Sequence, residues 1–309
     1  MTDLAQAVLM PSDQTFNQFR QAIAHKEFLI TAEVSPPKGS DPSHMLEQAQ
    51  VLKGRVHAIN ITDSSRAVMS MSPVAASVLI QQRLGIEAIC QIACRDRNRI
   101  ALQGDLFGAT AMGINNILAL TGDPVKAGDS PKARSVFDYE SVRLLQLIQK
   151  LNQGMDANDK VLPNQGTNLF AGAAIDPQSP SWSGLQKRFE RKLNAGAQFF
   201  QSQLITDFDR LDKFMHQIAN QSDKPVLAGI FLIKSAKNAQ FLNKFVPGVQ
   251  IPDRIIERLA QAKSPLQEGI AIAAEQIQIA RQICQGVHIM AIKAEHLIPE
   301  ILDRAAITL

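Results

Sequence analysis

The 309-residue sequence predicts an α/β fold: a (β/α)8 barrel, forming a single domain over residues 1–309. Three observations predict it. Eight short runs rich in apolar and β-branched residues recur along the chain, amphipathic helical stretches separate them, and no glycine-rich nucleotide fingerprint follows the first run. Regular alternation of strand and helix implies parallel strands covered by helices. An open doubly wound sheet would also alternate. Eight units without that fingerprint favour closure, and the length is near the usual ~250 residues plus insertions of one barrel.

The elements follow in order. Residues 1–27 read as an N-terminal helical extension packed on the barrel, with SDQTF as its capped start. Strands then follow at FLITAEV (28–34), VHAINIT (56–62), IEAICQIAC (86–94), NILALTG (116–122), LFAGAAI (169–175), QFFQSQLI (198–205), PVLAGIFLI (225–233) and VHIMAIK (287–293). Helical segments such as PSHMLEQAQVLKG, SPVAASVLIQQRLG, RIALQGDLFGATAMG and SGLQKRFERKLNAG lie between them. Several end in Gly just before the next strand, as a helix C-cap and tight turn require.

Composition excludes several function classes. A net charge of +3 with scattered basic residues gives no footprint for a nucleic acid, and aromatic residues at 5% offer few stacking platforms. No apolar run approaches the roughly 20 residues that span a bilayer. The start MTDLAQAVLMPSDQ lacks the basic region of a signal peptide, so the expected location is the cytoplasm. Three cysteines form neither a disulfide framework nor a zinc site, and no HExxH-type pattern occurs, so no metal is expected. Cys90 and Cys94 fall on one strand face and read as packing residues. Met69, Met71 and Met112 read as core filler.

The stretch TAEVSPPKG (31–39) places Glu33 at the end of an apolar run. A carboxylate there costs several kcal/mol unless it is paired with a cation or neutralised by protonation. In a barrel the C-terminal strand ends carry the active site. Polar residues recur at the equivalent places: Thr62 and Asp63, Gln91 and Cys94, Asp123, Asp176, and Gln203. Each alone has a bland reading as a turn residue, helix cap or satisfied strand group; together they point to a pocket on one rim. The strand NILALTGDP ends in Gly122-Asp123-Pro124, where glycine admits a flat ligand and the acid can bind its donor edge. The loop that follows, PVKAGDSPKARSVFD, has the length and polarity of a lid, with a surface insertion as its alternative.

Taken together, TAEVSPPKG, INITDSSR, QIACRDRNR, ILALTGDP, KRFERKLNAGAQFFQSQ and VHIMAIKAEHL resemble the methylenetetrahydrofolate reductase family from about residue 28 to the C-terminus. The resemblance implies a barrel carrying FAD across its C-terminal rim and reducing 5,10-methylenetetrahydrofolate to 5-methyltetrahydrofolate, a step of one-carbon metabolism. It implies Glu33 as the acid that protonates towards N10, opening the folate ring to an N5 iminium ion. It assigns Asp123 as the carboxylate between flavin and pterin, and Gln203 as a hydrogen-bonding partner of the pterin. Thr62 falls where the family has a hydroxyl near the flavin ring, and Gln91 stands where some relatives have His. Leu120, Thr121 and Gly122 would line the ring through backbone groups. Arg191 and Lys192 match a basic pair that approaches the FAD phosphates, against the alternative of a solvated helix face. Phe137 matches the lid aromatic approximately.

Two segments depart from the family pattern. The closing strand reads Ile289-Met290-Ala291-Ile292-Lys293 where relatives have aromatic-Thr-Leu-Asn, and LIKSAKNA has Ala236 near the place of a nicotinamide-stacking Phe. The expected electron donor is therefore either NADH or NADPH, or a redox partner protein. The chain ends with the barrel, so the C-terminal regulatory domain of eukaryotic relatives is not expected, and assembly into homo-oligomers stays open. Two other functions fit the sequence: folate-dependent methyl transfer on the same barrel, and a flavin- or folate-binding subunit of a larger complex.

Overall fold

The computed structural model describes residues 16–163, 166–246 and 248–309. Eight parallel strands close in sequence order: β1 (Leu29–Val34), β2 (Ala58–Ile61), β3 (Ala88–Ala93), β4 (Asn116–Leu120), β5 (Phe170–Ile175), β6 (Phe199–Leu204), β7 (Val226–Phe231) and β8 (Gly286–Met290), with β8 pairing back to β1. The helices are α1 (Gln18–Ala24), α2 (Ser43–Gln50), α3 (Pro73–Leu84), α4 (Arg99–Ala111), α5 (Ser141–Asn152), α6 (Trp182–Asn194), α7 (Phe208–Gln217), α8 (Ala236–Phe245), α9 (Asp253–Gln261), α10 (Pro265–Ile283) and α11 (Ile298–Arg304). The molecule is a (β/α)8 barrel. None of the described helices is long and apolar enough to cross a membrane.

Side-chain alternation explains the apolar runs. Ile30, Ala32 and Val34 of β1, Ile59 and Ile61 of β2, and Ile117 and Ala119 of β4 face outward into the layer shared with the helices. Their neighbours Leu29, Ala58, Ile89, Leu118, Phe199 and Leu227 fill the interior. Strands buried on both faces have few positions for polar residues, so each polar residue in them needs an explanation. Local signals agree: Asn98 caps α4 by accepting the Ile100 and Ala101 N–H groups at 3.0 Å, and Gly85 closes α3 with φ +67°.

The N-terminal end is sealed by α1. Phe19 is fully buried and packs edge-on against Phe199, with ring centroids 5.1 Å apart. Its N–H donates to the Glu87 carboxylate at 3.0 Å, and Arg20 lies over the Phe170 ring. The expected extension helix is thus present over Gln18–Ala24; most of its expected start, SDQTF, lies outside the described residues, and Asn17 precedes the helix without a side-chain cap bond.

Other expectations shift. Met69 and Met112 are 53% and 40% exposed, because one sits in the loop after β2 and the other at the end of α4. All three cysteines are buried and free, and burial pushes the Cys90 and Cys94 thiols up to about 12. Thiols in that state are poor nucleophiles.

Candidate active site at the open end of the barrel

Residues that point into the barrel form layers. Above the apolar bottom layer lies a buried polar belt: Thr31, Asn60, Gln91, Gln201 and His288, with Gly172 and Gly229 between them. One step further along the strands, Glu33, Leu120, Ala174, Phe231 and Met290 are partly exposed. The barrel is therefore closed at its N-terminal end and concave at its C-terminal end, with a polar floor under a mixed mouth.

The belt is hydrogen-bonded across the interior. Asn60 Nδ2 donates to Gln201 Oε1 at 3.0 Å and lies 3.5 Å from His288 Nδ1, while Thr31 Oγ1 is 3.0 Å from that same nitrogen. Asn60 Oδ1 and His288 Nε2 are buried without a hydrogen-bond partner. Orphaned groups are rare in protein interiors and mark places where a ligand or a side-chain adjustment completes the set. Sequence reasoning singled out Glu33, Thr62, Gln91 and Gln203 but missed Thr31, Asn60, Gln201 and His288. The signal was available as polar residues two apart in a doubly buried strand: Thr31 with Glu33, Asn60 with Thr62, Gln201 with Gln203.

Glu33 stands directly on this floor. Its side chain is 16% exposed, and its Oε2 lies 3.7 Å from His288 Nε2. Among the described residues no Lys or Arg pairs with it.

Asp63 is the contrast. Its carboxylate accepts the Ala93 N–H at 2.7 Å and the Arg97 guanidinium at 2.6 Å, so it staples β2 to the end of β3. Asp176 accepts the Gln178 N–H at 3.0 Å and acts as a turn residue.

The end of β4 meets the loop after β2. Gly122 has φ +93°, and a Cβ there would lie 2.9 Å from the Arg95 Cβ and 3.2 Å from the Ala93 Cβ. Asp123 is exposed, and its Oδ2 accepts the Arg66 N–H at 3.0 Å. Thr121 Oγ1 accepts the Ser141 N–H at 3.1 Å and so begins α5. Leu120 faces the interior, and Thr62 is buried just past β2. The loop of residues 123–140 folds back over the β2 loop, where Asp129 pairs with Lys38 at 2.8 Å and accepts the Met69 N–H at 3.0 Å. Phe137, 37% exposed with φ 43°, follows Val136, whose N–H donates to the Arg95 carbonyl at 2.8 Å.

A basic cluster flanks the mouth. Lys192 Nζ donates to the Ala174 carbonyl at 2.6 Å, and burial pushes its ammonium pKa down. Arg191 reaches Glu140, the residue capping α5, at 3.4 Å and is largely exposed. Gln203 is exposed within a register shift in β6 and shares a cavity of about 180 Å³ with Ala174, Asp176, Arg188 and Lys192. The structure thus groups Gln203 with Lys192 at the β5–α6 side and Glu33 with the polar belt. Arg188, Arg191 and Lys192 of α6 bring positive charge to this side of the mouth, which suits a ligand that carries phosphates. No cluster of His, Cys, Asp or Glu suited to a metal occurs among the described residues. A separate cavity of about 680 Å³ opens at the opposite end, lined by residues including Lys26, Glu27, His216 and Arg281, away from these groups.

Comparison with known proteins follows the same direction. Residues 18–306 match the family model for methylenetetrahydrofolate reductase. The chain is 25% identical over 246 residues to a probable methylenetetrahydrofolate reductase (NADPH) of Caenorhabditis elegans, covering 76% of this chain and 34% of that protein. It is 22% identical over 287 residues to methylenetetrahydrofolate reductase 1 of Schizosaccharomyces pombe, covering 88% and 45%. The chain therefore spans less than half the length of these curated relatives. Among solved structures, a Clostridium thermocellum protein that binds two copies of 5-methyl-5,6,7,8-tetrahydrofolic acid shares the fold, with a TM-score of 0.64, 14% identity, and coverage of 93% of this chain and 99% of that one.

Proposed function

The chain belongs to the methylenetetrahydrofolate reductase family, and from that premise we propose that its barrel mouth reduces 5,10-methylenetetrahydrofolate to 5-methyltetrahydrofolate. One observation carries the reading: Glu33 stands partly desolvated at the mouth, on a polar floor, with no cation neutralising it among the described residues. A carboxyl group with no Lys or Arg partner is free to face a ligand at the mouth, which is the position a general acid needs.

The residues divide the work. Glu33 delivers a proton towards N10 of the folate, which opens the five-membered ring to the N5 iminium ion. Asp123 holds a negative charge at the rim, where it stabilises that cation and orients the pterin. Gln203 hydrogen-bonds the pterin. Bound FAD would supply the hydride. Arg191 and Lys192 would hold its diphosphate, and Leu120, Thr121 and Gly122 its ring, with Thr62, Gln91 and Phe137 as flanking contacts. Electrons reach the site from NADH, NADPH or a redox partner protein. The two segments that depart from the nicotinamide-handling pattern are neighbours, since Lys234 Nζ donates to the Ile292 carbonyl at 2.9 Å.

The test separates the two half-reactions in FAD-loaded protein. Glu33→Gln should lower folate reduction by about 100- to 10,000-fold, the usual cost of losing a placed general acid. Reduction of the bound flavin by dithionite should be unchanged. Equal slowing of both halves, or a melted protein, would make Glu33 a structural carboxylate.

A further inference from the structure

The buried belt beneath Glu33 has a direction. Asn60 Nδ2 already donates to Gln201 Oε1, and an amide nitrogen has no lone pair to offer. Asn60 Nδ2, which can only donate, lies 3.5 Å from His288 Nδ1, and the Thr31 hydroxyl lies nearer to that nitrogen, at 3.0 Å, than to the Val287 carbonyl at 3.5 Å; this arrangement suits Nδ1 as the acceptor of the ring. A neutral imidazole then carries its hydrogen on Nε2. That nitrogen is fully buried, has no hydrogen-bond partner, and lies 3.7 Å from Glu33 Oε2. A buried N–H without an acceptor is costly, and Glu33 is the acceptor within reach.

We propose that His288 is a positioning residue for Glu33: its Nε2–H engages Oε2 and leaves Oε1 as the oxygen that carries and delivers the acid proton. This rests on the folate reading given above. In the step, the Oε1–H bond breaks and an N10–H bond forms. The electron pair of the methylene C–N10 bond goes to N10, the N5 lone pair forms the C=N5 bond, and Glu33 is left as a carboxylate with Oε2 held by His288. Oε1 regains its proton from solvent at the mouth. Thr31 and Asn60 act one step further back, by fixing the imidazole.

The experiment uses the full chain loaded with FAD and reduced by dithionite. His288→Phe should lower kcat for methylenetetrahydrofolate about 100-fold, the scale of a misplaced reacting group, with KM within a few-fold of wild type. His288→Gln, which restores an N–H donor, should recover most of that loss. In protein labelled with carbon-13 at glutamate carboxyls, the signal missing from Glu33→Gln should move in His288→Phe. Nitrogen-15 spectra of wild type should show His288 protonated at Nε2 and bare at Nδ1. Wild-type kcat in His288→Phe, an unmoved Glu33 signal, equal damage in the Phe and Gln variants, or a hydrogen on Nδ1 would each overturn the proposal. Should His288→Phe not fold, the nitrogen-15 spectrum still decides. Should wild type fail to reduce the folate at all, the functional reading falls, while the two resonance measurements still test the pair on their own.

Discussion

Glu33 and Asp63 lie at the ends of adjacent strands, and their partners separate their roles. Asp63 is tied to the Ala93 N–H and to Arg97, whereas Glu33 faces His288. The sequence shows both acids but not these partners, because Arg97 is 34 residues beyond Asp63 and His288 is in the last strand. Gly122 was easier to read, since Gly-Asp-Pro after an apolar strand already signals a special turn. Its positive φ and the 2.9 Å approach to Arg95 make a specific prediction. Gly122→Ala should lose about 1–3 kcal/mol of stability to denaturant, through left-handed strain and displacement of β3. It should also weaken FAD binding, because the same backbone would line the ring. Gly39→Ala, with open space around its Cβ and no positive φ, should stay within about 0.5 kcal/mol of wild type. Equal stability in the two variants would show that the turn at Gly122 tolerates a side chain.

At the scale of elements, the strands were legible because burial on both faces writes them as unbroken apolar runs; the structure trims 86–94 to Ala88–Ala93 and 225–233 to Val226–Phe231. The β2 loop was not legible, because Ser64, Arg66 and Ala67 all take left-handed backbone that neither their residue types nor their neighbours announce. Such a turn persists only where its surroundings fix it, and here Asp123 accepts the Arg66 N–H while the loop of 123–140 lies over it. The far end of that loop is held by Asp138, which accepts the Arg99 backbone N–H at 2.9 Å and its guanidinium at 2.8 Å. The Arg99 side chain is the main cause that holds the Asp138 carboxyl at about 2, below its ordinary 3.8. A depressed acid contributes its stabilisation above its ordinary value and loses it as pH falls through the folded one. The loop should therefore stay docked at pH 5 and release between about pH 4 and pH 2. Asp138→Asn should release it at neutral pH. Hydrogen exchange of residues 130–138, corrected for intrinsic rates and read against β4, measures both. Unchanged protection in Asp138→Asn would mean that the Lys38–Asp129 pair and the Gly128–Ala67 contact suffice to hold the loop.

Across the whole molecule, the barrel separates stability from chemistry along its axis. The N-terminal end is packed shut by α1, and the C-terminal end opens over the polar belt. This polarity is a property of (β/α)8 barrels, and it made Glu33 readable as a candidate at the open end once eight strands had been counted. The belt itself stayed hidden, because Thr31, Asn60, Gln201 and His288 come from four strands spread over the chain and meet only on closure. Phe19 is the sharpest test of the separation. It is fully buried, stands edge-on to Phe199 at 5.1 Å and to Phe170 at 6.4 Å, and belongs to a seven-residue helix too short to be stable alone. Phe19→Ala should cost about 3–5 kcal/mol of stability, the range for emptying a buried aromatic site, and should free α1 from the barrel floor. Among the described residues Phe19 packs with Phe170 and Phe199, and the apolar bottom layer lies between it and His288. At a temperature well below unfolding, FAD affinity and the rate of folate reduction should both match wild type. A matching loss of stability and turnover would mean that the floor transmits strain to Glu33, and the two ends of the barrel would have to be treated as one coupled core.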